Sequence, residues 1–214
     1  MTTFGFLHTA HVHVATFTDL LASASPADDT RHRVDESLLT DARRRGAVDD
    51  DLERRITTHL RDLADQGAGP MVCTCSTIGG PAEDIGRRIG LDVRRVDRPM
   101  AEAAVAAGPR LAVVAALEST MEPTRQLLSE AADHGGHQVT IIDAPCFEAW
   151  SHFEAGRLDD YFAALAAHLR SWAPSCDVIV LAQASMAPVQ DLVQLGIPVL
   201  SSPRPAVEEL LRRP

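Results

Sequence analysis

The stretch Gly69-Pro70-Met71-Val72-Cys73-Thr74-Cys75-Ser76-Thr77-Ile78-Gly79-Gly80 decides the fold prediction. It begins as a short apolar run and ends in small polar residues and a glycine pair. A favourable helix start follows, with Pro81 and two acidic residues in the first turn. The pattern therefore predicts a buried parallel strand, a tight loop and a helix that begins near Pro81. Ligands of open α/β sheets lie at the carboxyl ends of such strands, and Cys75 falls where this strand becomes loop.

A second stretch, Asp177-Val178-Ile179-Val180-Leu181-Ala182-Gln183-Ala184-Ser185-Met186-Ala187-Pro188, repeats the pattern. When Val72 is aligned with Val180, Cys75 corresponds to Gln183 and Thr77 corresponds to Ser185. We therefore expect the chain to be organised around two similar strand ends, one in each half.

Strands alternate with helices along the whole chain, which is typical of α/β proteins with parallel sheets. The first strand is predicted to end at His8, and residues 49–67 form a strongly amphipathic helix. Because the alternation runs through two similar cycles, we predict two pseudo-equivalent lobes, residues 1–98 and 99–202. The closing helix, residues 203–214, is expected to pack back on the first lobe.

The absence of lysine excludes two classes of protein. All 20 basic residues are arginine. A pyridoxal enzyme needs a lysine for its internal Schiff base, and a Walker A phosphate-binding loop needs one too. No Gly-x-Gly-x-x-Gly sequence follows a predicted strand, so a Rossmann dinucleotide site is not expected either.

Charge and hydropathy limit the partners and the location. The net charge of −10 argues against nucleic acid as the main partner. The chain has no apolar run of 18 residues, so no membrane span is expected. It has only four cysteines, and Met1-Thr2-Thr3 leads into a predicted strand without a basic signal-like region. A reducing, cytoplasmic location is the expectation.

Three motifs resemble those of the aspartate/glutamate racemase superfamily, which also includes hydantoin racemases, maleate isomerases and arylmalonate decarboxylases. Cys75-Ser76-Thr77 is similar to the first Cys-Asn-Thr motif of that family. Val178–Ala187 resembles the second motif, usually Leu-Gly-Cys-Thr or Leu-Gly-Cys-Ala, with Gln183 at the cysteine position. Ala115–Thr120 resembles the loop that binds a substrate carboxylate, although Ala116 replaces its first threonine.

The resemblance covers nearly the whole chain and implies an architecture and a chemistry. It implies two flavodoxin-like lobes with parallel sheets and an active site in the cleft between them. It also implies cofactor-independent catalysis, a small-molecule carboxylate as substrate, and a homodimer or higher homo-oligomer.

One departure from the family matters for mechanism. The racemases of the family use two cysteines on opposite faces of the substrate, one to remove a proton and one to return it. Gln183 cannot take either role, because an amide does not titrate in the useful range. The sequence therefore predicts a site with a single catalytic cysteine.

Cys75 is predicted to be that cysteine, as a general acid/base or a nucleophile. A nearby helix N-terminus would lower the pKa of its thiol from about 8.5. The alternative is a small buried core residue. Gln183 is predicted to act with it in the catalytic site by orienting the substrate; its alternative role is to cap the strand end.

The remaining candidates are hydroxyl-bearing residues and one histidine. The hydroxyls have the donors for a carboxylate cradle, or they serve as N-caps of the following helices. His8, at the end of the first strand, is a further candidate for substrate contact or for pairing with Cys75. The predicted substrate-binding residues are His8, Ser76, Thr77, Ser119, Thr120 and Ser185.

A metal site is not expected from the sequence. His8, His11 and His13 lie close together along the chain, but a zinc or iron site needs further ligands and an organised second shell. Cys73, Cys146 and Cys176 are interpreted as structural.

These residues favour a cofactor-independent racemase or isomerase that acts at a carbon next to a carboxylate or carbonyl. Proton transfer by Cys75 and addition of its thiol to an unsaturated carbon are both open. The alternatives are a decarboxylase of the same superfamily and a non-catalytic protein that binds or senses carboxylates. A metal-dependent hydrolase built on the histidines is a third alternative.

Overall fold

The structure is a computed structural model that describes residues 1–212. The chain forms two compact units. One consists of Met1–Val96 with the helix that starts at Pro203, and the other is Asp97–Ser202. The division lies two residues before the predicted lobe limits at 98 and 99.

The first unit contains a four-stranded sheet in which every neighbouring pair is parallel, with the order β2-β1-β3-β4. Its strands are β1 (Thr3–His8), β2 (Asp29–Val34), β3 (Met71–Cys73) and β4 (Val93–Arg95). Its helices are α1 (Val12–Ala24), α2 (Glu36–Arg45), α3 (Asp50–Asp65), α4 (Ser76–Ile89) and, at the end of the chain, α9 (Pro203–Leu211).

The second unit repeats this plan, with the parallel order β6-β5-β7-β8. Its strands are β5 (Arg110–Val114), β6 (Thr140–Asp143), β7 (Val178–Leu181) and β8 (Val199–Leu200). Its α-helices are α5 (Arg98–Ala107), α6 (Glu118–Gly135), α7 (Trp150–Glu154) and α8 (Leu158–Trp172). Short 3₁₀ segments lie at Phe147–Ala149, Ala173–Ser175 and Ala184–Leu192.

Each sheet is covered on both faces, which is why the central strands β3, β5 and β7 read as apolar runs. In the first unit, α1 and α9 cover one face around Phe6 and Phe17, and α2, α3 and α4 cover the other around Leu7 and Ile78. In the second unit, α5 and α6 pack on one face, and α7 and α8 pack on the other.

The two strand orders are equivalent, because β5 to β8 repeat the positions of β1 to β4. Both follow the beginning of the flavodoxin order 2-1-3-4-5. The predicted class, α/β with two flavodoxin-like lobes and parallel sheets, is confirmed. In such sheets the chain leaves neighbouring central strands toward opposite faces, which opens a crevice at their carboxyl ends. That point lies between β1 and β3 in the first unit and between β5 and β7 in the second.

The prediction of a loop before Pro81 is wrong. Helix α4 begins at Ser76, directly after Cys75, and contains both glycines and Pro81. The glycines belong to the helix because it passes close to β4. A Cβ atom on Gly79 would lie 3.2 Å from the Cβ of Arg95. Small residues there indicate close helix–strand packing rather than a turn.

In the structure the chain ends with α9, whose Ala206, Val207 and Leu210 pack against Phe4 and Phe6 of the first unit. The last two residues of the predicted helix, 213 and 214, lie outside the described residues. Within residues 1–212, no helix has the length and apolar character needed to cross a membrane.

The close approach of α4 to β4 predicts a contrast between two glycines of the same helix. A Cβ on Gly86 would lie 2.6 Å from the Cβ and 2.7 Å from the Cγ2 of Val93. Overpacking of this kind costs about 1–3 kcal/mol, so Gly86→Ala should lower the free energy of unfolding in urea. Gly80→Ala is the control. The nearest atom to its added Cβ is the Nη1 of Arg95 at 3.4 Å, so it should be neutral or stabilise by up to about 1 kcal/mol. Equal effects of the two variants would contradict the packing described here.

Candidate functional site

Cys75 follows the carboxyl end of β3, the strand that pairs with β1 in the first unit. It is the N-cap residue of α4, in an extended conformation (φ −111°, ψ 113°), and 8% of it is exposed. Its thiol is within hydrogen-bonding reach of the hydroxyls of Thr9 and Thr77 and of the backbone N–H groups of Thr77 and Ile78. Thr9 directly follows β1, so the contact between Thr9 and Cys75 bridges the two central strands.

The expected lowering of the Cys75 pKa is wrong. Burial raises the pKa of the thiol, and the hydrogen bonds from Thr9, Ile78 and Thr77 act in the opposite direction without reversing it. The helix N-terminus is present as predicted, but the sequence did not reveal how deeply the sulfur is buried. Cys75 is therefore a thiol at neutral pH, surrounded by donors that can stabilise a thiolate.

Gln183 takes the corresponding place in the second unit, at the end of β7. Its Oε1 accepts hydrogen bonds from the backbone N–H groups of Ala116 (2.6 Å) and Leu117 (3.2 Å), which follow β5. The amide thus bridges the two central strands of its sheet and fixes the start of the Ala115–Thr120 loop. Two N–H groups of that loop are consequently engaged within the protein.

None of the five predicted hydroxyl residues is a helix N-cap. The caps are Cys75 for α4, Leu117 for α6 and Gln183 for the 3₁₀ segment that follows β7. Each unit presents its hydroxyls in the first turn after a central strand. Ser76 and Thr77 begin α4, Ser119 and Thr120 lie in the first turn of α6, and Ser185 is the second residue of the 3₁₀ segment after Gln183.

Exposure differs among these hydroxyls. Ser76 and Thr120 are buried, whereas Thr77, Ser119 and Ser185 are half-buried. The Ser185 hydroxyl is 3.0 Å from the hydroxyl of the buried Tyr161. Thr77, Ser119 and Ser185 are therefore the hydroxyl residues best placed to meet a ligand.

His8 is fully buried, and both of its ring nitrogens are engaged. Nδ1 is 2.8 Å from the Oγ1 of Thr74, and Nε2 is 2.8 Å from the Nδ1 of His32. The Nε2 of His32 is in turn 3.1 Å from the Oγ1 of Thr18 on α1. The chain of hydrogen bonds Thr74–His8–His32–Thr18, which we call the histidine chain, connects the end of β3 to α1.

The histidine chain lies on the opposite face of the sheet from Cys75. The His8 ring stacks with Phe6 and lies against Phe17, on the face covered by α1 and α9. Cys75 belongs to the core on the face of α2, α3 and α4. The structure thus places His8 in a buried polar network, while its predicted contact with substrate stays a prediction.

Burial keeps the histidines of this region neutral. The pKa of His8 is lowered to about 3, first by burial and then by the neighbouring His32, His13 and His11. Burial lowers the pKa of His13 to about 4, and it also lowers the pKa of His32.

Within residues 1–212, one group of three potential metal ligands has its ligand atoms within 4.8 Å of one another. It consists of Cys146, Glu148 and His168 and lies in the second unit.

Sequence reasoning missed several residues of these sites. Thr9 and Thr74 directly follow or precede predicted site residues at the carboxyl ends of β1 and β3, which was a usable signal. His32 lies 24 residues from His8, and Tyr161 lies 24 residues from Ser185. No local pattern connects either of those pairs.

Solved structures of racemases share this arrangement of strands and helices. An aspartate racemase from Picrophilus torridus matches with a TM-score of 0.75 and 11% identity, over 99% of this chain and 94% of that one. The chain has the fold of the aspartate and glutamate racemases. A glutamate racemase from Francisella tularensis in complex with D-glutamate matches this racemase fold with a TM-score of 0.68 and 14% identity, over 98% of this chain and 79% of that one.

An allantoin racemase from Klebsiella pneumoniae has the same racemase fold, with a TM-score of 0.64 and 16% identity, over 98% of this chain and 86% of that one. No protein-family model matches the sequence, and no curated protein matches it. The predicted resemblance is confirmed at the level of the fold.

The buried histidines predict a stability that falls in mild acid. The unfolded chain binds protons on His8 and His13 near pH 6.5, whereas the folded chain resists protonation until about pH 3 to 4. The folded state therefore loses stability as the pH falls from 6.5 to 4, by up to about 1.4 kcal/mol per pH unit for each histidine. Denaturant unfolding across this range should show a smaller slope for His8→Gln. The exposed His134→Gln should keep the original slope. An unchanged slope in His8→Gln would contradict the neutral, buried state of His8.

The side-chain oxygen of Gln183 is predicted to stabilise the loop that follows β5. Gln183→Ala leaves the N–H groups of Ala116 and Leu117 without this partner and should cost about 1–3 kcal/mol of unfolding free energy. Gln183→Glu keeps a carboxylate oxygen near the N-terminus of α6 and should retain most of the stability. Chemical denaturation of both variants measures the difference. If Gln183→Ala is as stable as the original protein, the bridge does not hold the loop.

Proposed function

We propose that this protein is a cofactor-independent racemase or isomerase that acts at a carbon next to a carboxylate or carbonyl group. The observation that carries the proposal is the position of Cys75. It stands at the carboxyl end of a central parallel strand, at the N-terminus of α4, with Thr9, Thr77 and Ile78 offering donors to its sulfur. This is where ligands of open α/β sheets bind.

The proposed chemistry is proton transfer by a single cysteine. The thiolate of Cys75 takes the proton from the carbon, and the electron pair left behind moves onto the adjacent carboxylate or carbonyl oxygen. The thiol then returns the proton either to the opposite face of the planar intermediate, after this has turned within the site, which gives racemisation, or to a different carbon of the same delocalised system, which gives isomerisation. Donors that surround the sulfur stabilise the thiolate before it takes the proton and again after it has returned the proton, and this type of acid–base assistance contributes about 10²- to 10⁴-fold to rates.

Gln183 enters this proposal as a positioning residue rather than an acid or base. Its oxygen already accepts the N–H groups of Ala116 and Leu117. It fixes the loop that carries Ser119, one of the half-buried hydroxyls. Rigid support of a binding loop is a recognised contribution to orienting a substrate.

The fold neighbours support the substrate class. The neighbours include an aspartate racemase, a glutamate racemase with bound D-glutamate and an allantoin racemase. We extend from them to this chain only the general class, a small carboxylic acid or related carbonyl compound. Assembly as a homodimer or higher homo-oligomer is part of the same proposal.

A second candidate is a carboxylate-binding or sensor protein without turnover. The observation that favours it is the raised pKa of Cys75, since the thiol is the less reactive form of cysteine. In this case the hydroxyls and N–H groups at the strand ends would hold a ligand, and Cys75 would line the site as an inert residue.

Deuterium exchange tests the enzyme directly. The protein is incubated in deuterated water with single enantiomers of amino acids, hydantoins and other small carboxylic acids, and loss of the proton next to the carboxylate or carbonyl is followed by NMR. We expect exchange of at least one compound, with a rate that rises with pH through the neutral range, because a raised pKa moves thiolate formation to alkaline pH. Cys75→Ala should slow the exchange about 10²-fold or more.

The matched control is Cys176→Ser, a buried cysteine of the second unit. It should keep the exchange rate. Full exchange in Cys75→Ala would eliminate the mechanism. The binding protein would be favoured by three results together. No compound of the panel exchanges its proton, a carboxylic acid nevertheless binds saturably, and Cys75 is alkylated slowly at every pH.

A further inference from the structure

Three potential metal ligands come together in the second unit, and none of them is among the site residues assigned above. Cys146 and Glu148 follow β6, and His168 lies on α8. One ligand atom from each, the thiol sulfur, a carboxylate oxygen and a ring nitrogen, lies within 4.8 Å of the other two. The sequence analysis interpreted Cys146 as structural because it belongs to no motif.

The surrounding backbone holds this group in place. The N–H of Cys146 donates to the carbonyl of Ala115 at the end of β5 (2.9 Å). The Nε2 of His168 is 3.0 Å from the carbonyl of Ala144, which accepts its proton. That hydrogen bond orients the ring. A ring N–H donated to a backbone carbonyl is a frequent second-shell feature of metal-binding histidines.

The spacing of the ligands suits a small tetrahedral ion. The Sγ of Cys146 is 3.5 Å from the Oε1 of Glu148. With Zn–S of about 2.3 Å and Zn–O of about 2.0–2.2 Å, a tetrahedral site needs a sulfur–oxygen separation of about 3.5–3.7 Å. Two of the three ligands thus already stand at the required distance. The ring nitrogen of His168 lies within 4.8 Å of both other ligand atoms, so it needs to approach by at most little more than about 1 Å.

We infer that Cys146, Glu148 and His168 form a zinc site. A thiolate, an imidazole and a carboxylate together favour Zn²⁺ over the hard cations Mg²⁺ and Ca²⁺, which prefer oxygen ligands alone. Glu148 is exposed and His168 is half-buried, so water can reach the ion and supply a fourth ligand.

The ion would connect parts of the unit that are distant in the chain. Cys146 is fixed to the end of β5 through Ala115, whereas His168 lies 22 residues further on, in α8. Zinc would therefore clamp the segment after β6 against α8. Because the ion binds the folded unit in preference to the unfolded chain, it should also raise the unfolding temperature by mass action.

The test uses the full chain after removal of bound metals with a chelator and dialysis. Zn²⁺ is titrated in competition with a chromogenic chelator, and Co²⁺ is added separately as a spectroscopic substitute. We expect one Zn²⁺ per chain with Kd below about 1 μM. We also expect a thiolate-to-cobalt charge-transfer band. Cys146→Ser should abolish the band, and His168→Gln and Glu148→Gln should each weaken Zn²⁺ binding at least about 10-fold.

Cys176→Ser and His134→Gln are the controls and should keep both the affinity and the band. They match the ligand variants in residue type, and the Glu148 and His168 changes affect side chains that are not deeply buried. The inference is overturned if the original protein binds no Zn²⁺ below about 100 μM. It is also overturned if the cobalt band survives Cys146→Ser, which would assign the metal to another cysteine. These readouts do not depend on enzymatic activity, so they are independent of the function proposed for Cys75.

Discussion

The parallel pairing of β1 with β3, and of β5 with β7, is the constraint on which both sites depend. It brings the ends of two central strands side by side while their connections leave toward opposite faces. Polar groups left at that point are nearly buried and need partners. The contacts of Thr9 with Cys75, and of Gln183 with Ala116 and Leu117, meet this need in equivalent places of the two units.

The same constraint explains why the two units differ chemically in spite of their common topology. In the first unit the bridging position carries a thiol, which can lose a proton. In the second it carries an amide, which cannot, but which accepts two N–H groups at once. One position therefore retains the capacity for acid–base chemistry, and the other is used to hold a loop in a single conformation.

The sequence was sufficient for the fold and for the position of Cys75, because both depend on local patterns: alternating elements, and small polar residues after an apolar run. It was insufficient for features that depend on tertiary packing. The glycine pair at Gly79 suggested a loop because the approach of Arg95 cannot be read locally. The pKa of Cys75 was predicted in the wrong direction, since a helix N-terminus is visible in sequence but desolvation is not. The contact of His8 with His32 depends on the pairing of β1 with β2, in which His32 lies opposite Phe6 and not opposite His8.

The histidine chain has a direction. With the Thr74 hydroxyl donating to His8, each ring donates onward, and Thr18 completes the series by donating to the carbonyl of Val14 (2.8 Å). In the reverse arrangement the donor and the acceptor of each hydrogen bond along the chain are exchanged, and Thr74 donates to the carbonyl of Leu7 (3.2 Å). Both arrangements are neutral and need no movement of heavy atoms. The first unit therefore contains a buried dipole along the histidine chain, whose direction can reverse without any rearrangement of the packing around Phe6 and Phe17.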